Sequence, residues 1–140
     1  MNGAVTTAQL HRWPLVFAGL SGAVAVAIAA GTAHDMEDNL AAADLARINT
    51  AVRYQIWHAL ALLGVAALSR NLSLRGWPHR LMPLRIAACG FAIGSVMFCG
   101  GLYLLSFTGL AYFGWLAPIG GLSFIVGWLA LAWSGITSND

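Results

Sequence analysis

Residues 13–33 read WPLVFAGLSGAVAVAIAAGTA, 21 residues without one charged side chain. A helix of that length rises about 30 Å, the thickness of the hydrocarbon core of a bilayer. Apolar and polar residues do not alternate along it, as they would in a strand of a membrane barrel. His11 and Arg12 precede it, and Gly31-Thr32-Ala33 at its end has the small residues of a signal cleavage site. The apolar run is nevertheless longer than the about 7–15 residues of a signal-peptide core, so it is read as a first membrane span.

Three further runs repeat the pattern. Residues 52–68 carry Arg53 only at their start, residues 83–107 carry Arg85 only at theirs, and residues 115–135 are uncharged. Helices are expected in all four, because lipid offers no partner to an unpaired backbone group. Composition agrees: 59% of the residues are hydrophobic and 9% charged, against about 25% charged in a soluble domain. The 140 residues leave room for one membrane domain and no soluble catalytic one. The expected fold class is therefore all-α, an integral membrane four-helix bundle over residues 1–140.

Between the first two runs lies HDMEDNLAAADLARINTA, residues 34–51. Ala41, Leu45, Ile48 and Val52 recur there at helical spacing, which predicts an amphipathic surface helix over 40–51 running into the second span. Asp38 or Asn39 suits its N-cap. Residues 69–82, SRNLSLRGWPHRLM, form a basic loop with Gly76 and Pro78 as breakers.

All seven cations are arginines. Arg12, Arg70, Arg75, Arg80 and Arg85 fall on one side of the bilayer; Arg47 and Arg53 fall on the other, with Asp35, Glu37, Asp38 and Asp44. The positive-inside rule makes the first side cytoplasmic, so both termini are expected inside, in the cell inner membrane. A net charge of +2 and no interleaving of arginines with aromatics exclude a nucleic-acid surface. Cys89 and Cys99 are about 15 Å apart along a helix, too far for a disulfide, and are read as small apolar residues.

Small residues recur on helix faces: Gly19, Ala23, Ala27 and Ala30 in the first span, on a face that ends at His34, Gly90 and Gly94 in the third, and Gly120, Ser123, Gly127, Ala130 and Ser134 in the fourth. Such stripes let helices approach closely, within the chain or between chains. The polar residues of the spans gather near the outer face: His34 ends the first, Tyr54, Gln55 and His58 open the second, and Tyr103 lies toward the outer end of the third. Polar groups in lipid tend to face the bundle interior. A hypothetical cofactor-binding cluster of His34, Tyr54, His58 and Tyr103 follows. It admits three readings: hydrogen bonding between helices, a pocket for a quinone or lipid, or a haem site on the histidines. Two histidines are too few for a closed zinc site, and no metal is expected. Pro118, Gly120 and Gly121 should bring the start of the fourth helix close to the third, with the Tyr103 ring covering the glycines. No nucleophile–base pair, phosphate loop or carboxylate pair occurs within the spans, so no enzymatic activity is expected. The leading expectation is an accessory or scaffold subunit in the bilayer, packing against itself as a homo-oligomer or against a larger membrane complex.

Four stretches carry a resemblance: AAGTAH (29–34), YQIWHALALLGVA (54–66), GSVMFCGGLYLLSFTG (94–109) and APIGGLSFIVGWLALA (117–132). In this order they resemble the family of small membrane proteins that includes bacterial YgdD and eukaryotic transmembrane protein 256, a domain of unknown function. The chain keeps the family's His34, Tyr54, His58, Tyr103, Pro118, Gly120 and Gly121. It departs at Cys99 and Gly101, where the family tends to have serine, and at Ala117, where it tends to have threonine. The resemblance implies a four-span membrane protein and supplies no activity.

Overall fold

In a computed structural model, which describes residues 2–33, 39–77 and 81–136 with side chains from residue 12 onward, the described chain is helical. Helix α1 is Asn2–Gly31, α2 Ala42–Leu74, α3 Leu81–Gly94, α4 Gly100–Thr108 and α5 Leu116–Ile136. A single π turn, Ser95–Cys99, joins α3 to α4, and a 3-10 turn, Ala111–Trp115, leads into α5. Among the described residues four stretches are long and apolar enough to cross a bilayer: Arg12–Gly31, Ala42–Leu74, Leu81–Thr108 and Ala111–Ile136.

Helix α2 shows how sequence sets these limits. Its 33 residues would rise about 50 Å, well beyond a hydrocarbon core of about 30 Å. Its uncharged part is closer to that thickness: the residues between Arg53 and Arg70 carry no charge and span about 25 Å. No glycine or proline interrupts residues 40–63, so the stretch before Arg53 continues as the same helix. Its N-cap is Ala41, with no side-chain cap. The cap expected at Asn39 therefore lies elsewhere, and Asp38 is outside the described residues. Asp44 supplies the negative charge that the first turn favours and pairs with Arg47. The helix ends on Gly76, whose φ of 75° is left-handed. Trp77 N–H then donates to Leu72 C=O at 3.0 Å, closing the six-residue glycine cap.

The core runs between α2 and the third span. Ile48, Leu62, Val65, Leu81, Leu84 and Phe91 are almost wholly buried there. Helix α1 packs on α2, and α5 packs on α3 and the π turn, while α1 and α5 hardly meet. The outer helices are thus covered on one side and face lipid on the other.

The seam between α5 and the third span depends on bare backbone. A methyl group at Gly90 would lie 2.8 Å from the Ser123 carbonyl oxygen and 2.9 Å from Gly127 Cα. One at Gly94 would meet the Phe124 ring, one at Gly120 would meet the backbone of Phe98, and one at Gly101 would lie 2.8 Å from Leu116 Cβ. The antiparallel register is therefore 90 against 127, 94 against 124, 98 against 120 and 101 against 116. The expected close approach at the start of the fourth helix is present, with one correction. Phe98, not Tyr103, covers the glycines, and Gly120 is the tight position: Gly121 has only the Phe98 ring edge, at 4.0 Å.

Candidate functional site

Two consecutive turns of α2 carry the polar residues, and they face different neighbours. Gln55, a large uncharged polar side chain in an apolar helix, is buried. Its Nε2 donates to the Ser21 carbonyl oxygen of α1 at 2.9 Å, and its Oε1 accepts from the Tyr103 hydroxyl of α4 at 2.8 Å. One amide thus ties three helices together. A cleft of about 350 Å³ adjoins it, lined by Ser21, Ser95, Cys99 and Tyr103 among others. The Ser21 and Ser95 hydroxyls are buried there without a hydrogen-bond partner.

His58 lies one turn below, toward α5, and is 4% exposed. Its Nδ1 is 2.7 Å from the Tyr54 carbonyl oxygen, a pairing that requires a proton on Nδ1. The indole N–H of Trp128 donates to Nε2 at 3.2 Å, so Nε2 carries a lone pair. The two bonds together define a neutral imidazole with its proton on Nδ1. Phe124 stacks on the ring with centroids 3.4 Å apart, and Phe91 tilts against it at 5.5 Å. Tyr54 stands 6.0 Å away on the same face of α2 and contacts Phe98 at 4.9 Å. These aromatics, with Trp57 and Trp128, line a cleft of about 630 Å³ between α2 and α5 that opens to lipid.

The four residues expected to form one cluster therefore divide. Tyr54 and His58 share the aromatic cleft; Tyr103 is turned to Gln55 and reaches neither His58 nor Gly120; His34 lies outside the described residues. The physical reason is helical phase. At about 100° per residue Tyr103, nine residues after Gly94, stands on the opposite side of the helix from it, while Phe98, four residues after Gly94, keeps to the α5 side. Gln55 and Trp128 are the partners that sequence reasoning passed over. Gln55 had a usable signal, since a carboxamide in an apolar helix is costly until paired. Trp128 had none. Among the described residues no group of three or more His, Cys, Asp or Glu converges as metal ligands would.

Comparison with known proteins accords with this architecture. The family described as "Protein of unknown function (DUF423)" matches residues 28–121. The chain is 36% identical over 118 residues to the UPF0382 inner membrane protein YgdD of Escherichia coli K12, covering 84% of each chain. It is 35% identical over 128 residues to a UPF0382 membrane protein of Haemophilus influenzae, covering 90% of this chain and 95% of that one. Against the UPF0382 membrane protein YwdK of Bacillus subtilis it is 31% identical over 119 residues, covering 84% and 90%. No solved structure matches it. With four spans, a matching family over most of the bundle and relatives similar along nearly their whole length, the chain belongs to the UPF0382/YgdD (DUF423) family of small multi-pass inner-membrane proteins.

Proposed function

We propose that the protein is a non-enzymatic accessory or scaffold subunit that packs α1 against another transmembrane helix, of a second copy or of a larger membrane complex. One observation carries this reading. Of the small-residue stripes, those of α3 and α5 are consumed by their mutual seam, while Gly19, Ala23, Ala27 and Ala30 of α1 all face outward. A methyl group at Gly19 would meet nothing within 4 Å. Packing drives helix association in lipid, and an open strip of small residues permits the closest packing. A photocrosslinking residue in place of Ala23, irradiated in native membranes, is expected to give one discrete product. Leu129, which is 65% exposed on α5, serves as the control and is expected to give none. A product at twice the chain mass would assign the partner as a second copy, and another mass would assign a different subunit. No discrete product from Ala23, or the same product from Leu129, would overturn the reading.

The aromatic cleft supports a second reading, a pocket for a planar apolar ligand such as a quinone, with Tyr54 and His58 at its floor. Haem is disfavoured by the geometry, because both nitrogens of His58 are engaged and axial ligation needs Nε2 released from Trp128. Protein purified in mild detergent is expected to show no Soret band. Its organic extract decides the rest: a stoichiometric quinone would favour this reading over the accessory role, and a quinone-free extract would remove it.

A further inference from the structure

We propose that the Arg-rich end of the bundle holds one anionic phospholipid, its phosphate between Arg12 and Arg70 and an acyl chain in the groove beneath. The two arginines come from different helices, α1 and α2, and line a single cleft of about 700 Å³. Below them the cleft is walled by Leu15, Leu63 and Ala67, so one opening combines a basic rim with an apolar trough. That is the profile of a phospholipid, and charge decides which kind. Neither arginine has an ion-pair partner among the described residues, where the one salt bridge is Arg47–Asp44 at the opposite end of α2.

A third group points the same way. Ser73 also lines the cleft, one turn beyond Arg70, and its hydroxyl is buried without a hydrogen-bond partner. A serine in a helix ordinarily returns its hydroxyl to the carbonyl four residues back; here it is left for an acceptor such as a phosphate oxygen. Terminal arginines of membrane helices commonly snorkel toward bulk headgroups. Two arginines from neighbouring helices over one apolar trough, beside an unsatisfied hydroxyl, form instead a pocket for a particular headgroup, as basic pockets between spans do. The site lies at the far end of the bundle from Gln55 and does not involve the outward stripe of α1, so it stands independently of the accessory role.

The test is native mass spectrometry of the detergent-purified protein titrated with phosphatidylglycerol, or with phosphatidylcholine of the same acyl chains. Phosphatidylglycerol is expected to be retained roughly thirtyfold more strongly, each arginine contributing roughly as a basic residue at a lipid surface does. The double variant R12Q/R70Q should fall to the phosphatidylcholine level, while R47Q/R53Q at the other end should match the parent. A67W, which keeps both arginines and fills the trough, should also lose retention, and it decides the matter if R12Q/R70Q does not fold. Equal retention of the two lipids by the parent, or undiminished phosphatidylglycerol binding by R12Q/R70Q or A67W, would overturn the proposal. Displacement of the lipid by millimolar inorganic phosphate would do so too, by making the site one for a free anion.

Discussion

Replacing Gly120 by leucine is expected to destabilise the bundle by about 1–3 kcal/mol, the range for overpacking a well-filled interior, and at the upper end of it. The obstruction explains the size. A Cβ at Gly120 meets backbone and Cβ atoms of Phe98 rather than the end of a flexible side chain. No rotamer change relieves that contact, so α5 must move away from the third span as a body. That movement also pulls Phe124 off Gly94 and off His58, since all lie along the same seam. The adjacent Gly121→Leu is the control. Its nearest obstacle is the Phe98 ring edge at 4.0 Å, an ordinary contact, so its effect should stay within about 0.5 kcal/mol, as for an open site. Thermal unfolding of both variants and the parent in one detergent provides the measurement. Similar midpoints for Gly120→Leu and the parent would mean that the seam is not closely packed at this level.

The four spans were legible because the bilayer imposes a coarse rule, long uncharged runs, that any sequence must obey. The pairing of Tyr54 with His58 was legible for a local reason, four residues of separation along a regular helix. In the third span depth alone points to Tyr103, and helical phase corrects it: nine residues at about 100° each set Tyr103 opposite Gly94, whereas Phe98, four residues on, keeps to the α5 face and meets Gly120. Glycines legible as a GxxxG also did not announce which helix they served. Gly90 and Gly94 are consumed against α5, whereas Gly19 of α1 is left open. That difference is tertiary and depends on α1 and α5 sitting at opposite margins of the α2–third span core.

Replacing Gln55 by leucine is expected to cost about 1–2 kcal/mol, and the pattern among partner variants says more than the size. Leucine fills most of the volume but leaves the Tyr103 hydroxyl buried with no acceptor, a loss of about 1–3 kcal/mol in protein interiors. Interhelical hydrogen bonds in membranes fall lower, at about 0.6–2 kcal/mol, because helices separated in lipid find other partners. The Ser21 carbonyl suffers less, since it retains the intrahelical N–H four residues on. Tyr103→Phe should likewise destabilise, by stranding Gln55 Oε1. The double variant, Gln55→Leu with Tyr103→Phe, removes both members of the pair. It should be clearly more stable than the sum of the single effects predicts, with a coupling of about 0.5–2 kcal/mol. A purely steric role for Gln55 would instead give additive losses, because leucine and phenylalanine do not compensate one another's shape. Additivity in the three unfolding midpoints would therefore dismiss the amide as the tie between α1, α2 and α4.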